Sequence, residues 1–202
     1  MPKLPPNKTK SLLELAERGP VRARDLSAAG IPRSYLARLV ARGRLEHVDR
    51  GLYRLVDGDP TENLSLAEVC KRVPNGAICL LSALQFHHLT TEAPHAVWLL
   101  IERGARAPTF TQPRTVLIRA SGAAFEHGIE THAADGVSIR VTSAAKTVAD
   151  CFRYRRYVGL EVALAAMRDY VSKYRGQTDA LIAAARADRV FSVLYPYLEA
   201  II

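Results

Sequence analysis

Apolar positions recur at helical spacing in three short segments near the start of the chain. Leu12, Leu13 and Ala16 share one side of a segment predicted as a helix over Lys10–Glu17. Thr9 is placed to cap it and Gly19-Pro20 to stop it. A second helix is predicted over about Arg22 to Ala29, burying Ala23 and Leu26 and closing at Gly30. Ile31-Pro32 leads into a third, about Arg33 to Arg42, where Leu36, Leu39 and Val40 stand at i, i+3 and i+4. Pro32 suits a helix start, because the missing N–H is not needed there. The period then changes. Leu45-Glu46-His47-Val48 and Leu52-Tyr53-Arg54-Leu55 flank Asp49-Arg50-Gly51 and read as a β-hairpin. Asp57-Gly58-Asp59-Pro60 has linker composition.

Beyond the linker the character is mixed. Helices are predicted over Leu64–Val73 and Ile78–His88. Strands are predicted over Val97–Ile101 and Val116–Ala120, and a hairpin over Ile129–His132 and Val137–Val141. Thr142 or Ser143 can cap a helix reaching Tyr154. Gly159–Lys173, Thr178–Ala187 and Val190–Ala200 give a helical end. The expected fold class is α+β. An N-terminal winged helix-turn-helix domain, residues 1–60, precedes a mixed α+β domain, residues 61–202, with a helical C-terminus.

Charge sharpens this division. Of a net +8, residues 1–56 carry 12 Lys/Arg against 5 Asp/Glu, while the remaining residues hold 16 against 15. Such a concentrated excess is the electrostatic footprint of a nucleic-acid-binding module on a neutral body. No apolar run approaches the ~20 residues that span a bilayer, and no apolar stretch follows Lys3, so no membrane or secretory role is expected. Cys70, Cys79 and Cys151 are too few and scattered for a disulfide framework or a zinc site. They read as buried thiols of a cytoplasmic protein with no cofactor or metal.

The third helix carries the candidate chemistry. Opposite its apolar stripe lie Arg38, Ser34 and Arg42, with Arg33 and Tyr35 in the first turn, where a recognition helix meets base edges. An arginine fork reads guanine O6 and N7 in the major groove, and small residues such as Ala37 and Ala41 permit close approach. Arg50 at the hairpin tip and Arg54 on its return strand would follow the phosphate backbone. Lys8, Lys10, Arg22 and Arg24 at the starts of the first two helices would do the same. Elsewhere, His87-His88, His95, His127 and His132 lack the i, i+4 spacing with a glutamate that a zinc peptidase uses, and no P-loop, dinucleotide turn or nucleophile elbow occurs.

The run Asp25-Leu26, Gly30-Ile31-Pro32, Leu36, Leu39-Val40, Gly43-Arg44-Leu45, Val48, Arg50-Gly51-Leu52-Tyr53 resembles the N-terminal winged helix of the AbiEi family. Ser82-Ala83-Leu84-Gln85-Phe86-His87-His88-Leu89 and the run from Val137 to Cys151, ending Lys146-Thr147-Val148-Ala149-Asp150-Cys151, are similar to that family's body. The resemblance spans about residues 10–175. It implies an antitoxin of a bacterial type IV toxin–antitoxin system that is also a transcriptional regulator. Such a protein would bind inverted repeats in its own promoter as a repressor. Its second domain would counter a cognate nucleotidyltransferase toxin, not necessarily by direct contact.

Two other classes stay open at this stage. A nucleic-acid-processing enzyme would need clustered carboxylates for Mg²⁺, and Glu126, Glu130, Asp135 and Asp150 are the candidates, though no tight motif joins them. Asp150 reads better as a capped or salt-bridged residue. A regulator whose second domain senses a small ligand is the other alternative, and a winged helix can also serve as a protein-interaction module.

Overall fold

The computed structural model describes residues 6–49, 51–57, 63–134 and 137–202. Arg50, Asp135 and most of the predicted linker lie outside them. The chain forms two compact units, one of residues 1–71 with 133–138, the other of residues 72–132 and 139–202.

In the first unit the order is α1 (Pro6–Glu17), β1 (Val21–Arg22), α2 (Asp25–Ala28), α3 (Ser34–Ala41), β2 (Leu45–Asp49), β3 (Leu52–Leu55) and α4 (Leu64–Arg72). α1 begins four residues before its expected start. Proline at its first position loses no hydrogen bond, and Ser11 bonds back to the Asn7 carbonyl at 3.0 Å. Thr9 therefore lies inside the helix and does not cap it.

The second helix is shorter than expected. Val21 and Arg22 pair with Tyr53 and Leu52 as an edge strand, making a three-stranded antiparallel sheet ordered β1-β3-β2. The Arg22 amide donates to the Asp25 carboxylate at 2.9 Å, which starts α2 at Asp25 instead. α2 and α3 both end on a left-handed glycine, Gly30 and Gly43. There Ile31 N–H reaches Leu26 C=O at 2.9 Å and Arg44 N–H reaches Leu39 C=O at 3.0 Å. The core gathers Leu12, Val21, Leu26, Ile31, Leu36, Leu39 and Leu45.

The second unit is built on a five-stranded sheet with helices packed on it, the sheet residues within 133–138 falling to the first unit. Its strands are β4 (Ala77–Ile78), β5 (Val97–Glu102), β6 (Thr115–Ala120), β7 (Ile129–Ala134) and β8 (Val137–Thr142), in the order β6-β5-β4-β8-β7. β5 runs antiparallel to β4 and parallel to β6, and β4 runs parallel to β8. The helix expected from Ile78 begins only at Leu80, as α5 (Leu80–Phe86), because Ala77 and Ile78 are taken as the central strand. Gly76 permits this close pairing: a Cβ there would sit 3.0 Å from Leu99 Cδ1 and 3.3 Å from Leu100 O.

The remaining helices are α6 (Ala123–Glu126), α7 (Ala144–Arg153), α8 (Arg155–Val158), α9 (Leu160–Lys173), α10 (Thr178–Ala187) and α11 (Phe191–Glu199). α7 is the pivot of this unit. Ser143 caps it by accepting from the Lys146 amide at 3.2 Å. Every residue from Ala145 to Phe152 is buried, so the helix is enclosed on all sides and its polar members need internal partners. Thr147 Oγ1 finds them in the Thr142 hydroxyl at 2.8 Å and carbonyl at 3.0 Å.

Candidate nucleic-acid interface

α3 divides cleanly into two halves. At 3.6 residues per turn, Tyr35, Leu36, Leu39 and Val40 occupy one side of the cylinder, where the first three are buried and Val40 half-buried. Arg33, Ser34, Ala37, Arg38, Ala41 and Arg42 fill the opposite half, and all six are exposed. The face is thus three guanidiniums and a hydroxyl on a floor of two methyl groups, with no carboxylate on the helix. The left-handed Gly43 then turns the chain, and the exposed Arg44 follows directly. Sequence reasoning passed over Arg44, although its place just beyond a C-terminal glycine was a visible signal.

The other expected contact residues separate into groups. Lys8, Lys10 and Arg24 are exposed. Lys10 lies 3.9 Å from Glu14 and Arg24 3.9 Å from Asp25, both loose surface pairs that contribute little. Arg22 sits half-buried on β1, not at a helix start. Tyr35 was expected to reach base edges but belongs to the core, only 6% exposed. Placed one position past Ser34, it falls over the boundary between the two halves and packs inward with Leu36 and Leu39.

Arg54 was expected to follow the backbone from the wing, yet it is bound internally. Its Nε donates to Glu46 across the β2–β3 ladder, and its Nη1 donates to Glu68 of α4 at 3.2 Å. The bond to Glu46, with the charges of both carboxylates, holds its guanidinium pKa above the usual arginine value.

Lys71 anchors a second polar cluster. It donates to the Pro20 carbonyl at 2.6 Å and pairs with Asp25 at 2.7 Å. Burial works against an ionised Asp25. The Lys71 and Arg22 hydrogen bonds and the charges of Lys71 and Arg24 outweigh it and hold the carboxyl below its ordinary value. Asp25 is therefore a fixed anion that fastens the start of α2 to β1 and α4.

Of the carboxylates considered for a metal-dependent site, Glu126, Glu130 and Asp150 are described, and these three do not come together. Glu126 is exposed, and Glu130 meets His132 at 3.0 Å. Asp150 is enclosed beside Lys146 on α7, and Lys146 also reaches Asp188 at 2.7 Å. Two carboxylates thus share one ammonium in a dry interior. Desolvation, joined by the nearby Asp188, pushes Asp150 up to about 8 despite the attraction of Lys146. Oδ2 of Asp150 and of Asp188 are both buried without a partner, so a proton retained on Asp150 relieves the excess negative charge. Of the two readings of Asp150, capped or salt-bridged, the geometry shows pairing with Lys146.

His87 is buried and donates from Nε2 to the Thr142 carbonyl at 2.7 Å. Burial lowers its pKa and so favours the neutral ring, against the opposing effect of that bond. All three cysteines are buried free thiols, and burial raises the Cys79 and Cys151 pKa values well out of the reactive range. Among the described residues no three His, Cys, Asp or Glu side chains are grouped to hold a metal, and no helix is long and apolar enough to cross a membrane.

Comparison with known proteins falls on the same segment. Residues 10–56 match the family model described as transcriptional regulator, AbiEi antitoxin. The matched segment runs from within α1 past the end of β3 and so contains the whole arginine face of α3. Across both units the fold is similar to the crystal structure of the RV2827C protein from Mycobacterium tuberculosis. The TM-score is 0.58 at 13% identity, over 98% of this chain and 83% of that one. At that identity the likeness is one of fold. No curated protein matches the chain.

Proposed function

We propose that this chain is a winged-helix, DNA-binding transcriptional regulator of AbiEi antitoxin type. In this reading residues 1–60 bind double-stranded DNA and residues 61–202 form the effector domain. The observation that carries it is α3, whose whole exposed half is arginine, serine and alanine inside the AbiEi-matching segment. The order α1-β1-α2-α3-β2-β3 supports it, because a short helix, a glycine turn and a second helix followed by a hairpin are the parts of a winged helix. Arg33, Ser34, Arg38 and Arg42 are assigned to the major groove, with Ala37 and Ala41 against its floor. Lys8, Lys10, Arg24 and Arg50 are assigned to phosphates. Tyr35 and Arg54 are reassigned to holding the unit together.

The protein would bind inverted repeats in its own promoter, repress that promoter and counter a nucleotidyltransferase toxin. We read it as cytoplasmic and non-catalytic; among the described enzyme candidates the buried one, Asp150, is committed to Lys146.

The test is fluorescence anisotropy on DNA from upstream of its own gene. Arg38→Ala should weaken specific binding by about 1–3 kcal/mol, the worth of one bidentate arginine–guanine contact. Unchanged affinity for that DNA would remove α3 as the reading helix.

A further inference from the structure

A second concentration of arginine lies far from α3 in the sequence. In the second unit, a cavity of about 370 Å³ is lined by Arg103, Arg153 and Arg189, by Ser121, and by small residues including Gly122 and Ala187. The three guanidinium-bearing residues come from three separate places: the turn after β5, the C-terminal end of α7, and the residue just beyond the cap of α10. No carboxylate lines the cavity among the described residues. Two carboxylates directly flank lining arginines in sequence: Asp188, which is turned inward to Lys146, and Glu102, which is exposed at the end of β5 but does not line the cavity.

The framework round the cavity is fixed. Arg153 donates to the Asp188 carbonyl at 2.7 Å and lies over the Tyr154 ring. The Asp188 carboxylate is held from within by Lys146. The turn carrying Arg103 is tied down by Arg119, whose Nη1 donates to the Arg103 and Ala105 carbonyls, each at 2.8 Å.

Arg189 supplies an independent observation. It is left-handed, with φ 57°, in a helix-ending motif where Val190 N–H reaches Ala185 C=O at 2.9 Å. Glycine is the residue this position favours and ends α2 and α3 in the same motif, while α5 ends in it on a left-handed His88. An arginine here is backbone-strained, and such strain clusters at ligand-binding positions.

We propose that this cavity is a binding site for a small molecule carrying a di- or triphosphate. Three arginines on one cavity, two of them exposed, give it a positive lining that favours an anion. Guanidinium forks bind phosphate oxygens in pairs. The volume falls within the range of small-molecule sites and exceeds what a single phosphate fills. No aromatic ring lines the cavity for a base to stack on, so recognition is through the phosphates. Free pyrophosphate and the polyphosphate of a nucleotide share that chemistry. The site is independent of the DNA-binding reading.

The experiment is isothermal titration of the full chain with pyrophosphate, a nucleoside triphosphate and inorganic phosphate. Saturable one-site binding of pyrophosphate or the nucleotide, at least about tenfold tighter than inorganic phosphate, is expected. A nucleotide that binds no tighter than pyrophosphate assigns recognition to the diphosphate alone, while a tighter nucleotide adds a contact to its sugar or base. Arg189→Gly should weaken binding by about tenfold or more while leaving the urea midpoint unchanged or raised. Arg103→Glu should weaken it likewise. Both variants keep the arginine face of α3, so phosphate binding that survives them unchanged arises elsewhere and overturns the proposal. Absence of saturable binding to the wild-type chain overturns it as well.

Discussion

Replacing Lys146 by Met removes the ammonium from between Asp150 and Asp188 while keeping a side chain of similar length. Lys146 has no exposed surface, Asp150 is 2% exposed and Asp188 1% exposed, so water cannot take over. Removing one partner of a buried ion pair costs about 3–5 kcal/mol, because the remaining charge stays desolvated. Asp188 loses its ammonium partner and Asp150, already largely protonated near neutral pH, loses the attraction that holds its pKa down, which places the loss in the upper part of that range, at about 5 kcal/mol. That approaches the whole stability of a marginal domain, about 5–15 kcal/mol.

The loss must depend on pH in a definite direction. In the variant the attraction of Lys146 that opposes the rise of the Asp150 pKa is gone, so its folded-state value moves further above the unfolded ~3.9. Stability from such groups is fully present below the unfolded pKa and falls as pH rises towards the folded one. In the parent, Asp150, pushed up to about 8, contributes a milder trend of the same sign between about pH 4 and 8. Urea unfolding at pH 5 and pH 8 tests this. The midpoint of Lys146→Met should drop at both, and much further at pH 8, with an unchanged urea dependence. The triple variant Lys146→Met, Asp150→Leu, Asp188→Leu should recover most of the loss. A cost below about 1 kcal/mol, or an equal cost at both pH values, would refute the reasoning.

Other perturbations probe the first unit and the approach to α7. Arg54→Ala strands Glu68, which is only 3% exposed, and should cost about 1–3 kcal/mol in thermal or urea unfolding. Tyr35→Ala should cost about 3–5 kcal/mol as a core truncation, whereas Tyr35→Phe should leave both stability and DNA affinity near the parent's. A specific loss of DNA affinity in Tyr35→Phe would return Tyr35 to the interface. Gly128 is left-handed, and a Cβ there would stand 2.9 Å from Lys146 Cβ and 3.0 Å from Ser143 Oγ. Gly30 is left-handed too but has open space around it. Gly128→Ala should therefore lower the melting temperature clearly more than Gly30→Ala, which costs only the left-handed penalty of about 1 kcal/mol.

Long periodic segments were the legible part of the fold. The expected span of α10 coincides with the one observed, and α9 differs at a single residue. The apolar stripe of α3 faces inward as its i, i+3, i+4 spacing requires. The two-residue strands β1 and β4 were not legible. Each exists only because a distant partner fixes it, Val21 against Tyr53 and Ile78 against both Leu99 and Val141. A run of two residues carries no period.

The site shows the same limit. The arginine half of α3 follows from local spacing, but the side chains that compete for a charge do not. Arg54 looked free on its strand until Glu68, fourteen residues on, was placed beside it. The Lys146–Asp150 pair stands at i, i+4 and could be read from the sequence. Asp188, 42 residues beyond Lys146, could not. Tyr35 sits where the apolar and polar halves of α3 meet, and only packing decides which way such a residue turns.

The central claim is that the arginine half of α3 reads DNA. It is met most directly by titrating the chain against DNA from upstream of its own gene and against a scrambled duplex, at two salt concentrations. Tighter binding to the upstream DNA is expected, with log K falling against log salt at a slope near −5 for about six neutralised phosphates. Equal binding to both duplexes would contradict sequence reading by α3, and no binding to either would contradict the DNA-binding assignment itself.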